Sequence, residues 1–530
     1  MPSRRNRRRQ MLPMLCVVAA AATAVLTAHP AVAQAFAAAK HSAAGYLKAR
    51  LVPHEGCQAL SQYKAKDLVS INATAEPAAP GVPAHCRVTG TLAPEIAFEV
   101  SLPQHWNGRF YMIGNGGHAG ESLEDANRVS QRNAALQAGF AFAQTNTGHD
   151  ARREPGASFV MSNPEKAIDY AYRAVNLTAV TAKDITQAYY GRTIAYSYWN
   201  SCSNGGRQGM VEAERYPQDF DGVLAMSPWV DQTGFTLGAM WNQRALDAAP
   251  LTPGKLTLVA KAVMDKCDAL DGLKDGQIDD PRRCAIDLKR DVPACAAGID
   301  DDSCLTAAQA QTFEKIYGGP VGNGRQLFPG FMPGSELWWG NFIVPAQPGR
   351  RPADFGLAQD TMRYLVHTPP QPGYDYRTFN FDRDPPMLDA WGKLVNATDT
   401  DLSRFRRKGG KMIMTYGWAD PVLQPLQGVD YYEQALVRNG PDTPQFLRLF
   451  MVPGMTHCSG GAATDRFDAV TALVDWVEKG RAPDSLRAAR VVDNREVRSR
   501  PLCPYPQVAR YRGRGSIDDA ANFRCANAGP

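Results

Sequence analysis

An α/β fold with a mostly parallel sheet, helices on both faces and a large inserted lid domain is predicted by three observations. Strand-like apolar runs alternate with helix-like runs in both halves of the chain. A serine stands between such a strand and such a helix, and an aspartate and a histidine follow two later strands, in the order Ser, Asp, His. Between the halves, over 231–400, Pro, Gly and Trp become frequent and the alternation fades.

The 530 residues, 44% hydrophobic and 21% charged, suffice for a large core plus an insertion and argue against a disordered or fibrous chain. Residues 1–33 read as a secretory signal peptide. Arg4, Arg5, Arg7, Arg8 and Arg9 form its basic region, an alanine-rich run from Met11 to Ala28 its apolar region, and Ala31-Val32-Ala33 its cleavage site. The run falls short of the roughly 20 apolar residues of a membrane span, so a secreted or periplasmic protein without stable membrane insertion is expected. Without the five leader arginines the formal net charge of +5 falls to zero, and no nucleic-acid partner is expected. Ten cysteines remain, an even set that reads as disulfides in an exported chain. Sequence neighbours suggest Cys57–Cys86, Cys267–Cys284, Cys295–Cys304 and Cys503–Cys525, which leaves Cys202 with Cys458.

In the first core segment, 34–230, strands are expected at Ile96–Leu102, Arg109–Ile113 and Phe140–Gln144, and a helix at Lys166–Tyr189. A strand at Thr193–Trp199 and a helix at Arg207–Ala213 flank Ser201-Cys-Ser-Asn-Gly-Gly206, the setting of a nucleophile elbow. In the second core segment, 401–530, strands at Gly410–Thr415 and Gln445–Met451 lead to Gly417-Trp-Ala-Asp420 and Gly454-Met-Thr-His457. A helix at Asp465–Lys479 precedes a tail expected to be irregular, stapled by Cys503 and Cys525.

Taken singly, each of these polar residues is an ordinary turn or loop residue. Together they predict a triad: Ser203 as nucleophile, His457 as general base and acid, and Asp420 as the group that orients the imidazole. The oxyanion hole would use the backbone amides of Asn204 and, from the Gly114–Gly120 loop, Gly117. Tyr416 and His149 are expected to be structural. Within the lid, Cys267 and Cys284 enclose an acidic loop. Asp268, Asp271 and Asp275, with the carbonyls of Leu273 and Gln277, can wrap a hard cation, giving Ca²⁺ as the expected structural ion. The spacing is not that of an EF-hand.

Cys-Ser-Asn-Gly-Gly, Gly-Trp-Ala-Asp, His-Cys-Ser-Gly-Gly and the acidic loop together resemble the tannase and feruloyl esterase family over nearly the whole mature chain. The resemblance implies an α/β-hydrolase core, a calcium-bearing lid, five disulfides and hydrolysis of a small-molecule aromatic carboxylic ester. A monomer is expected. Similarity to the terephthalate-monoester branch further implies that Arg351 grips a free carboxylate, Phe355 closes over the ring and Trp338 lines the pocket. Two departures from that branch stand out: Asn204 replaces an acidic residue, and Leu423 replaces a pocket phenylalanine. The first substrate expected is mono(2-hydroxyethyl) terephthalate, cleaved to terephthalate and ethylene glycol. The alternatives are feruloyl or gallate esters of plant phenolics and, from another class, a non-catalytic calcium-dependent binding protein.

Overall fold

In a computed structural model that describes residues 35–345, 347 and 349–527, nine strands form one sheet; the expected signal peptide lies outside these residues. The strands are β1 (Leu68–Glu76), β2 (His85–Leu92), β3 (Ile96–Pro103), β4 (Arg109–Ile113), β5 (Ala141–Thr145), β6 (Tyr196–Cys202), β7 (Gly222–Met226), β8 (Lys411–Gly417) and β9 (Leu447–Val452). Their order is β1-β2-β3-β5-β4-β6-β7-β8-β9. The last six in that order are parallel, and β1 to β3 form an antiparallel extension joined to β5.

The central strands are apolar along nearly their whole length because both sheet faces are covered. Alternate residues point to opposite faces. Phe110 and Met112 enter one apolar cluster, together with Val175 and Ala179 from a helix; Tyr111 and Ile113 enter another, with Leu473 and Trp476. Among the helices, α1 (Asn204–Arg215) starts directly after β6, α2 (Ala353–Asp360) lies in the insertion, and α3 (Ala469–Lys479) packs on β7 and β8. Asp468 starts α3 by accepting a hydrogen bond from Thr471 N, and Gly480, at φ +68°, ends it.

Between Met226 and Lys411 no described residue adds a strand to the sheet. It builds its own core around Val259, Val263, Phe313, Ile316, Phe331 and Trp339. All five expected disulfides form.

Several expected boundaries move. The strand placed at 193–199 runs over 196–202, and the helix placed at 207–213 begins at 204, so Ser203 alone separates them. The helix expected over 166–189 contains a π-helical turn at Asp169–Arg173, and the one expected from 465 begins at 469. The tail is not irregular. It forms two hairpins, Leu486–Val492 with Arg495–Leu502 and Gln507–Tyr511 with Phe523–Asn527. Among the described residues no helix is long and apolar enough to cross a membrane.

Candidate active site

Ser203 has φ +61° and ψ −129°. A side-chain-bearing residue is strained there, and backbone hydrogen bonds hold it in place. Its amide donates to Met226 O at 3.0 Å, and its carbonyl accepts from Arg207 N at 3.1 Å and Trp229 N at 3.0 Å. Two glycines are required by contact. A Cβ on Gly205 would collide with Ser201 Oγ, and one on Gly114 would lie 2.6 Å from the Trp199 ring and 2.7 Å from Gly205 Cα. The loop after β4 and the turn after β6 thus meet at backbone distance.

Asp420 and His457 come from the loops after β8 and β9. His457 Nδ1 lies 2.9 Å from Asp420 Oδ2, while Asp420 Oδ1 accepts from Val422 N and Leu423 N at 2.9 Å each. A buried carboxylate that only accepts makes Nδ1 the donor and leaves Nε2 free for proton transfer. The Cys202–Cys458 disulfide joins the residue before Ser203 to the residue after His457. These sulfurs and the His457 ring offer ligand-type atoms within 4.8 Å of one another, but the disulfide leaves no thiolate for a metal.

The loop after β4 is fixed from beneath. Glu121 accepts from Gly116 N at 3.1 Å and from Arg128 Nη1 at 2.8 Å, and the same Nη1 donates to Gly114 O at 3.0 Å. Gln208 accepts from Asn115 N at 3.0 Å. Among the described residues, the amides of Gly117 and Asn204 donate to no acceptor. The insertion covers this loop: Leu357 of α2 lies beside Gly117, and His118 Nε2 is 3.1 Å from Thr361 Oγ1. Burial pushes His118 down to about 3, so it stays neutral. The Asn204 side chain turns inward, its Oδ1 accepting from Arg207 Nε at 2.7 Å. Tyr170 donates to Gly117 O at 3.0 Å and accepts from Gln232 Nε2 at 2.7 Å.

The expected substrate contacts are less well gathered. Arg351 pairs with Asp360 at 3.8 Å and donates to Gln359, both on α2, instead of standing free. Phe355 is buried edge-on to Tyr376 at 4.5 Å, in the apolar cluster that also holds Leu423. Trp338 faces a cavity of about 330 Å³, whose walls include Trp418, Ala419 and Gly454 but no triad side chain. Tyr416 donates to Pro228 O, and His149 is stacked on Phe159 at 4.2 Å.

In the acidic loop Asp268 Oδ1 accepts from the amides of Asp275, Gly276 and Gln277 at 3.1, 2.9 and 3.2 Å. Asp275 pairs with Arg500 at 2.5 Å. Asp279, absent from the sequence-derived set, belongs here: burial, then repulsion by Asp271 and Asp275, pushes it up to about 8. Asp271 is raised as well, chiefly by burial. The carbonyls of Leu273 and Gln277 accept no hydrogen bond among the described residues. Crowded carboxylates beside unused carbonyls are a donor set that fits a hard divalent cation. The signal for Asp279 was its place in the same run, four residues after Asp275. Tyr170, Gln232, Glu121 and Arg128 carried no comparable local signal.

Comparison with known proteins gives a consistent picture. A family model described as tannase and feruloyl esterase matches residues 81–526. The chain is similar to a mono(2-hydroxyethyl) terephthalate hydrolase of Piscinibacter sakaiensis, 34% identical over 86% of this chain and 87% of the relative. A protein described as an uncharacterised esterase of Xanthomonas campestris is 36% identical over 84% and 85%. Among solved structures, feruloyl esterase B from Aspergillus oryzae superposes with a TM-score of 0.76 at 28% identity, covering 89% of this chain and all of that one.

Proposed function

The chain belongs to the tannase and feruloyl esterase family and is a carboxylic ester hydrolase, and from that premise we propose that it cleaves esters of aromatic acids through an acyl-enzyme on Ser203. The observation that carries this reading is the His457–Asp420 pair at 2.9 Å, on a loop tied by a disulfide to the Ser203 turn. Ser203 Oγ attacks the ester carbonyl while His457 Nε2 takes its proton. The oxyanion is received by the Gly117 and Asn204 amides. Collapse expels the alcohol, which takes the proton from His457; water, deprotonated by the same imidazole, then releases the acid and restores the serine.

Two acyl groups fit this reading. The terephthalate monoester is favoured by Arg351, whose planar fork suits a carboxylate, provided that the substrate displaces Asp360. A plant phenolic ester is favoured by the observation that Arg351 already has its partners on α2. The ratio of kcat/KM for mono(2-hydroxyethyl) terephthalate and methyl ferulate decides between them. A preference of tenfold or more for ferulate removes the terephthalate reading, and hydrolysis of neither rejects both.

Ca²⁺ is proposed for the acidic loop, held by Asp268, Asp271, Asp275 and the Leu273 and Gln277 carbonyls, with Asp279 beside them. It would neutralise the crowded carboxylates and brace the lid, taking no part in the chemistry. Because a ligand that binds only the folded state stabilises it by roughly 4 kcal/mol at a thousandfold excess over Kd, a chelator should lower Tm by several degrees, and calcium should restore it. A melting curve indifferent to both would reject the ion. Export to an oxidising compartment is the accompanying proposal, supported by the five disulfides.

A further inference from the structure

Three arginines among the described residues are buried to 6% exposure or less: Arg128, Arg207 and Arg500. Two have carboxylate partners, Arg128 with Glu121 at 2.8 Å and Arg500 with Asp275 at 2.5 Å. Arg207, the most deeply buried, makes no ion pair among the described residues. It donates only to neutral oxygens: Asn204 Oδ1 at 2.7 Å, Ala171 O and Val395 O at 2.8 Å, and Tyr170 O at 3.3 Å. Glu214, the acid that acts on it, forms no ion pair with it among the described residues, and burial and then Asp399 push that carboxyl well above the usual carboxylate range. Burial brings Arg207 down to about 10, which leaves it charged at neutral pH. A buried cation without a counter-ion is costly.

Its position gives that charge a use. Arg207 lies in the first turn of α1, four residues after Ser203, and holds the side chain of Asn204, one of the two oxyanion residues. Gln232 reaches Asn204 Oδ1 at 3.4 Å and the Tyr170 hydroxyl at 2.7 Å, and that hydroxyl holds the Gly117 carbonyl, so both oxyanion residues hang on one buried network. The amino end of α1 already presents positive potential to the same place.

We propose that Arg207 is a positioning residue for the transition state: its uncompensated charge adds to the field of α1 behind the oxyanion hole, and its hydrogen bond to Asn204 fixes one of the two donors. This rests on the serine-esterase reading above. The charge is most useful when the carbonyl oxygen becomes anionic, so it should act on kcat and not on ground-state binding.

The test is Asn204→Asp, which sets a carboxylate against the guanidinium, keeps the backbone amide and nearly keeps the side-chain shape. Tm should hold or rise, because a buried cation gains a counter-ion. Meanwhile kcat should fall about tenfold at unchanged KM. Inhibition by an aryl boronic acid, which forms an anionic tetrahedral adduct on a serine, should weaken by a similar factor. Wild-type kcat and boronate inhibition in this variant would overturn the proposal, as would a kcat loss accompanied by an equal loss of Tm. If Asn204→Asp does not fold, Arg207→Lys and Arg207→Met decide: the lysine variant must keep more kcat than the methionine variant, and equal values overturn the proposal. Boronate inhibition of the wild type that vanishes in Ser203→Ala tests the underlying reading separately; its absence from the wild type would reject that reading first.

Discussion

Replacing Ser203 with alanine should lower kcat roughly 10⁶-fold, as removing a triad nucleophile does elsewhere, while leaving the melting temperature close to that of the wild type. The turn is held by backbone bonds to Met226, Arg207 and Trp229, none of which needs the hydroxyl, and alanine is strained at φ +61° much as serine is. Ser203→Gly should be equally inactive yet more stable, by about 1 kcal/mol. Relief of strain worth about 1–3 kcal/mol is offset by roughly 0.5–1 kcal/mol of extra unfolded-state freedom. The pair of variants separates chemistry from conformation. Hydrolysis that persisted in either, measured against an uncatalysed control, would remove Ser203 from the mechanism. An unchanged Tm in the glycine variant would show that the turn stores little strain.

The second large effect concerns Cys202 and Cys458. Their bond closes a loop of 256 residues, and in the chain-entropy description of cross-links this corresponds to about 5.5 kcal/mol of stability. Cys202→Ala with Cys458→Ala should therefore be strongly destabilised. Activity should fall at least tenfold even well below the melting temperature, since the serine turn and the histidine loop lose their tether. Cys295 and Cys304, only 9 residues apart and within the insertion, provide the control. The same relation gives about 2.5 kcal/mol for that pair, and its removal should leave kcat alone. Equal activity losses in the two double variants would mean that the disulfide acts through global stability alone.

The parts of the fold legible in the sequence were those written locally. Apolar runs marked β3, β4, β8 and β9, and the strand-turn-helix pattern marked the serine. The elbow slipped by three residues because β6 ends in Asn200, Ser201 and Cys202, which read as loop. Asn200 is nevertheless buried, with its Nδ2 donating to the Tyr111 hydroxyl at 2.6 Å, a partner that only the folded sheet supplies. The tail hairpins were hidden by arginine and proline, residues poor in strand signal. The lid was the least legible part. Arg351 is marked out only by the family resemblance, and its engagement by Gln359 and Asp360 depends on how the chain enters α2. Arg207 reads as an ordinary helix residue, and nothing in its sequence neighbours discloses that it is buried without a counter-charge.

The insertion leaves the sheet after β7 and returns at β8, two strands that pair directly, Gly222 beside Lys411. Whatever length of chain runs between them, the hydrogen-bonded ladder closes in the same way. The groups expected to break the ester lie at the ends of β6, β8 and β9, whereas those expected to choose the acid lie on the excursion. Substrate preference in such an architecture can drift, lengthen or be exchanged wholesale without disturbing the hydrolytic step, so divergent tastes among relatives need no change in the machinery they share.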